Sequence, residues 1–271
     1  MKLRHCDEPI KGVPVENTFA AFDDYENPIG TCVVYERDST AIIPERPMEY
    51  FIKADCGPAA LDALLGAATT RAFMLSRESG SPRRARVYTE CDRDDEERLN
   101  SLFMLGFSDD DCLLRMHSIL AEGPLIARAP SGLTLIEDQL GEDAEFEYFS
   151  ERYAHIMQKD LDQTREELDI LVRKPNFLRL LLVSRDGLSG ELAFWTERRL
   201  GVIGYIYVSP EWRRRGVGAH LMDLARVLLI RRGVREATLD VRRRMQSAMR
   251  LAAASGYRHQ ETIILYPGID L

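Results

Sequence analysis

Apolar residues recur along this chain in two alternating rhythms. Runs that are short and β-branched or aromatic, such as MEYFIKA at 48–54, VYTEC at 87–91 and GVIGYIYV at 201–208, predict strands. Longer stretches carry apolar residues at helical spacing. In VGAHLMDLARVLLIRR, at 217–232, Leu221, Leu224, Ala225, Leu228 and Leu229 fall on one face. Similar spacing predicts helices at 58–75, 94–105 and 245–255. EDAEFEYFSERYAHIMQ and LDQTREELDILVRK read as two amphipathic helices, and FLRLLLVSRDG with SGELAFWTE as a hairpin turning at Arg185-Asp186-Gly187. From SGLTLIED onward the order is strand, two helices, three strands, helix, strand, helix, strand. The pattern is that of a mixed α/β protein.

The two halves rhyme. VYTEC at 87–91 and GFSDDDCLLRM at 106–116 land, after a shift of 150 residues, on ATLDV at 237–241 and GYRHQETIILY at 256–266. Gly106 and Gly256 stand where a helix should end, a position that favours a left-handed backbone. A linker with two prolines and a glycine, SILAEGPLIARAPS at 118–131, separates the halves. The expected domains are 1–125 and 126–271.

Of 271 residues, 45% are hydrophobic and 30% charged, ordinary for a globular chain. No apolar run nears the ~20 residues of a membrane span, and MKLRHCDEPIKG has no signal-peptide core. These features point to a cytoplasmic protein without a membrane partner. The five cysteines show no C-x-x-C pair and the histidines no H-E-x-x-H, so no metal site is expected. The net charge of −8 is uneven: residues 1–125 hold 14 basic and 23 acidic side chains, the remainder 22 and 21. An acidic half does not suit nucleic acid.

One junction concentrates binding chemistry. After Val208, Ser209-Pro210 breaks a strand, and Arg213-Arg214-Arg215-Gly216-Val217-Gly218-Ala219 opens a helix. A helix start offers unpaired N–H groups and a positive dipole end. Glycines let the backbone approach a ligand, and arginines suit phosphate oxygens. Neither the Walker pattern nor G-x-G-x-x-G is present. This stretch resembles the acetyl-CoA loop of the GNAT acetyltransferase superfamily, [QR]-x-x-G-x-[GA], and Val208-Ser209-Pro210 resembles the V-x-P before it. Leu251 and Gly256-Tyr257 are similar to the family's second motif. The resemblance spans about 132–266. In eroded form, without the loop, it extends to the first half, where MEYFIKAD runs directly into CGPAALDALL.

The resemblance implies two tandem GNAT-like acyl-CoA N-acyltransferase domains of α/β (α+β mixed sheet) fold, the first degenerate. It implies acetyl-CoA as donor and no metal. The acceptor would be a small-molecule or peptide amine that attacks the thioester directly. Backbone groups of Ile206, Tyr207 and Val208 would pair with the pantetheine arm. The amides of Arg214, Arg215, Gly216, Gly218 and Ala219, in the loop that Val217 completes, would hold the pyrophosphate. Arg213 would contact phosphate or cap the neighbouring chain. Arg242, Arg243 and Arg244 would meet CoA phosphates or simply be solvated.

The usual catalytic groups are missing. Ala252 stands where many members carry a tyrosine acid, Met245 where many carry asparagine, and Gly204 and Tyr205 where many carry glutamate. Tyr205, Tyr207 and Glu191 are the remaining candidates, with Glu197 beside them. Packing is the plainer reading for the tyrosines and a solvated strand position for the glutamates. Asp143, Glu145, Glu147 and Glu151 would draw in a cationic amine or form an acidic helix face. A catalytically silent acyl-CoA-binding scaffold is the alternative function. Each half shows one strand after its last helix where the family has two. A strand from each half is therefore expected to complete the other's sheet.

Overall fold

A computed structural model describes residues 1–40, 48–80, 85–157 and 161–271. The chain forms two compact units. One comprises Met1–Leu113 with Thr262–Leu271, the other Leu114–Glu261.

The first unit is built on a six-stranded sheet. Its strands are β1 (Lys2–Arg4), β2 (Thr18–Phe22), β3 (Pro28–Asp38), β4 (Met48–Cys56), β5 (Ala85–Thr89) and, from the far end of the chain, β13 (Gly268–Asp270), in that spatial order. The first three were not anticipated from the sequence. β4 and β5 run parallel, joined by helix α1 (Pro58–Glu78). Pro58 at its start costs no hydrogen bond. Leu61, Leu64, Leu65, Ala68 and Ala72 of α1 are buried against Val34, Tyr50, Ile52 and Val87 of the sheet. Helix α2 (Glu96–Met104) comes after β5.

The second unit holds a seven-stranded sheet. Its members are β6 (Cys112–Ile119), β7 (Thr134–Asp138), β8 (Leu178–Ser184), β9 (Gly187–Glu197), β10 (Leu200–Val208), β11 (Glu236–Arg242) and β12 (Arg258–Leu265), ordered β12-β6-β11-β10-β9-β8-β7. Helices α3 (Asp143–Met157) and α4 (Leu161–Val172) come after β7. Helix α5 (Val217–Arg231) joins the parallel strands β10 and β11, and α6 (Gln246–Ala254) comes after β11.

The expected strand exchange is present. β6, from the first half of the chain, lies between β11 and β12, while β13, from the last residues, pairs antiparallel with β5. Each exchanged strand covers backbone groups that an open edge would leave unpaired. The fully buried Arg86 fixes β13 from within the first unit. It donates to Tyr266 O at 2.9 Å and to Asp110 at 2.6 Å. It also fills the space beside Gly268, where any Cβ would collide with the guanidinium.

The 150-residue repeat extends to the helix ends. Gly106 and Gly256 both adopt φ +89°. Phe107 N donates to Leu102 O and Tyr257 N to Ala252 O, each at 3.0 Å. Both helices thus end in the same six-to-one cap. Asp95 caps α2 by accepting from Arg98 N, while Met245, its counterpart on α6, has no side-chain cap bond.

Candidate acyl-CoA site

The site is built where two parallel strands part. β10 and β11 are in register from Leu200↔Glu236 to Ile203↔Leu239. Beyond Ile203, β10 continues to Val208 paired only with β9, where Tyr207 faces Glu191 and Val208 faces Gly190. The register slips between Ile203 and Tyr205, a bulge that leaves Gly204 extra. Ile206, Tyr207 and Val208 therefore lie on an arm whose second edge has no registered partner among the described residues. The first unit has the same fork: β4 and β5 part after Ile52↔Thr89 while β4 runs on to Cys56 beside β3.

The connection from arm to helix differs between the units. In the first, Gly57 alone joins β4 to α1. In the second, residues 209–216 intervene between β10 and α5. They form a 3₁₀ turn at Pro210–Trp212, then Arg214 at φ +62° and Gly216 at φ +86°. Gly216 is the N-cap of α5 and makes no side-chain cap bond. The first bond into the helix is His220 N to Gly216 O, 2.9 Å. The amides of Val217, Gly218 and Ala219 precede it and have no acceptor within the helix. A left-handed φ at Gly216 costs a side-chain-bearing residue about 1 kcal/mol or more. A Cβ on Gly218 would press Leu251 at 3.0 Å.

The loop arginines divide their work. Arg213 Nε donates to Val208 O, at the end of the arm, at 3.2 Å. Arg215 lies over the Trp212 ring at 5.3 Å. Of the arginines at and just past the end of β11, Arg243 is exposed, while Arg242 and Arg244 are half-buried. Gly190, which has no counterpart among the sequence motifs, sets the closeness of α5. A Cβ there would meet Val217 Cγ1 at 2.6 Å and Tyr207 O at 3.2 Å.

The opposite face of the sheet carries the candidate catalytic groups. Tyr205 packs edge-on against Phe149 at 5.5 Å and tilted against Tyr153 at 5.2 Å, and Tyr207 and Trp195 border the same cluster. Burial pushes the Tyr205 phenol well above its ordinary pKa, and the nearby Glu191 charge adds to the shift. Burial also raises the Tyr207 phenol, against the pull of Arg213.

Glu191 is not solvated, contrary to expectation. It has no exposed side-chain surface because α3 covers its strand, and Arg152 of that helix binds both carboxylate oxygens at 2.6 and 2.7 Å. Burial works against the Arg152 charge, but these bonds and the carboxylate outweigh it, so its pKa rises. Glu197 is at the surface and accepts from Lys174 Nζ and Trp195 Nε1, both at 3.1 Å.

Of the acidic residues on α3, Glu147 accepts from Arg165 at 2.7 Å and Glu145 lies 3.7 Å from Arg179. Asp143 and Glu151 are exposed. Beyond the fork, Asp240 of β11 is half-exposed and takes two 3.0 Å bonds from Arg115, which also reaches Glu261 at 3.1 Å. This triad needed the inserted β6 and was invisible in the sequence. No group among the described residues has the makings of a metal site, and no described helix is long and apolar enough to cross a membrane.

Residues 139–257 match the acetyltransferase (GNAT) family. Among solved structures, a GCN5-related N-acetyltransferase from Anabaena variabilis aligns with 95% of this chain and 63% of its own, at 13% identity and TM-score 0.53. One from Sphaerobacter thermophilus aligns over 96% and 82%, at 18% identity and TM-score 0.48. A tandem GNAT protein from the clavulanic acid biosynthesis pathway aligns over 93% and 82%, at 15% identity and TM-score 0.46. The first of these supports the fold over nearly the whole chain. No curated protein matches it.

Proposed function

We propose, from the match of residues 139–257 to the acetyltransferase (GNAT) family, that the chain is an N-acetyltransferase. It transfers an acetyl group from acetyl-CoA to a primary amine of a small molecule or peptide by direct attack. The working copy is 126–271. Residues 1–125 are a degenerate copy whose strand runs into its helix through Gly57 and which binds no acyl-CoA.

One observation carries this reading: Gly216, at φ +86°, opens α5 beside the arm of β10, whose second edge has no registered partner among the described residues. Amides of Arg214, Arg215, Gly216, Val217, Gly218 and Ala219 would cradle the pyrophosphate there. Main-chain groups of Ile206, Tyr207 and Val208 would pair with the pantetheine arm as a further strand does. A main-chain N–H of the arm would stabilise the oxyanion. With the acid and base positions empty, rate comes mainly from holding the donor carbonyl and the amine in place.

Calorimetric titration with coenzyme A and acetyl-CoA tests the reading. Saturable uptake is expected, and Gly216→Glu should abolish it by placing a carboxylate in the anion cradle. Undiminished uptake by that variant would overturn the assignment. A panel of amines with thiol release as readout then tests turnover.

A second reading, a silent acyl-CoA-binding scaffold, is favoured by Ala252 at the acid position and by the sealing of Glu191 under Arg152. Saturable binding with no thiol release on any amine would select it.

A further inference from the structure

The fork between β10 and β11 has an open end and a closed end. The open end is at Val208, where the loop leads into α5. The closed end is the pair Ile203↔Leu239. A donor held by its phosphates at α5 and laid along β10 therefore directs its acyl group toward the closed end. From Val208 to Gly204 the arm measures about 13 Å at ~3.3 Å per residue.

Trp195 stands at that closed end. Its residue on β9 faces Val202, one step before the bulge. A Cβ on Gly204 would overlap the six-membered part of the indole, so the ring lies directly on the Gly204 main chain. It is on the face of Tyr205 and Tyr207, since it borders the same packed cluster. The ring is also pinned at its polar edge. Nε1 donates to Glu197 at 3.1 Å, and Glu197 is in turn held by Lys174 at 3.1 Å. A rigid, flat apolar wall thus covers the bulge where a side chain on residue 204 would otherwise stand.

We propose that Trp195, seated on Gly204, is the end-stop that restricts the acyl donor to short chains. This rests on the acyl-CoA reading above and deepens it by naming the residue that sets donor length. On that inference a short acyl group such as acetyl ends before the wall. Each further methylene must displace a ring held by the sheet, the cluster and Glu197, an overpacking cost rather than the usual gain from burial.

The test needs no acceptor. Calorimetry with coenzyme A, acetyl-CoA, butyryl-CoA and hexanoyl-CoA is run on the full chain and on Trp195→Ala. The native protein should bind hexanoyl-CoA, four methylenes longer, at least about tenfold more weakly than acetyl-CoA, since a single misplaced methylene already implies that factor. The variant should bring the two within about threefold of each other while its affinity for coenzyme A itself is unchanged. Trp195→Leu, which keeps apolar bulk, serves as the second variant and should give an intermediate profile if Trp195→Ala does not fold. Equal binding of acetyl-CoA and hexanoyl-CoA by the native protein overturns the end-stop, as does a profile that neither variant alters. Failure of coenzyme A itself to bind removes the acyl-CoA reading and the inference together. The CoA arm and the chain-length arm thus separate the two failures.

Discussion

Arg152 holds both oxygens of Glu191, at 2.6 and 2.7 Å, with the carboxylate sealed from solvent. That bond decides the role of Glu191, the acidic residue facing Tyr207 across the strands. A fully paired, fully buried carboxylate has no room for an amine and stands as a support beneath Tyr205 and Tyr207. Removing Arg152 leaves the buried Glu191 only Arg179, 3.9 Å away. Arg152→Ala is expected to cost about 3–5 kcal/mol in urea unfolding, and Arg152→Met with Glu191→Leu to recover most of it. A double variant as unstable as the single one would show that the pair is not self-contained.

Gly106 and Gly256 offer a matched test of the duplication. Both have φ +89°. A Cβ on Gly106 would meet nothing within 4 Å, and one on Gly256 only Ser118 Oγ at 3.5 Å. Backbone strain is then the whole effect at the first position and most of it at the second. Alanine at either should destabilise by about 1–2 kcal/mol, the left-handed cost for a residue with a Cβ. Denaturant midpoints that differ severalfold in ΔΔG would mean the two caps are not equivalent.

Much of the fold is legible in the residues alone. Helical spacing around Leu221 and Ala225 places α5 within a residue of where it lies, and the R-x-x-G-x-G run locates the loop. The glycines at 106 and 256 announce their own conformation. Glu191 is different, because strand alternation gives a side chain's face, while burial depends on which helix covers that face. The Arg115–Asp240–Glu261 triad joins residues from three strands, one of them inserted from the other half of the chain. No local pattern encodes such a meeting. Likewise Gly190 and Gly204 read as weak points in strands. Their function is a close approach, by Val217 in one case and Trp195 in the other.

Gly190→Ala should weaken coenzyme A binding without touching the loop. The new methyl would stand 2.6 Å from Val217 Cγ1, in the first turn of α5, and 3.3 Å from Leu221 Cδ1. The helix start must move, carrying the unpaired amides with it. Overpacking of this kind costs about 1–3 kcal/mol. The expected result is a lower melting temperature together with an affinity for coenzyme A reduced about tenfold or more in calorimetry. A drop in stability alone, with unaltered affinity, would mean that the sheet absorbs the methyl and α5 stays in place.

Residues 120–127, within the expected linker, are strapped to α5 by three side chains one turn apart. Asp223 accepts from the amides of Ile126 and Ala127, Arg226 donates to Ala121 O and Pro124 O, and His220 Nδ1 lies 2.7 Å from Ala127 O. Burial alone would raise the Asp223 pKa. The Ala127 amide, Arg226 and the Ile126 amide outweigh it and hold the carboxyl below its ordinary 3.8. A carboxyl depressed in the folded state contributes its full stabilisation above the unfolded pKa and loses it as pH falls through the folded value. Asp223→Asn should therefore be less stable than the native chain by about 1–3 kcal/mol at pH 5 to 7. The gap should stay level across that range and narrow once pH drops below about 4. Urea unfolding of both proteins from pH 7 down to pH 3 measures it. A gap that persists unchanged at pH 3 would mean that the amides bind the Asp223 side chain without regard to its charge.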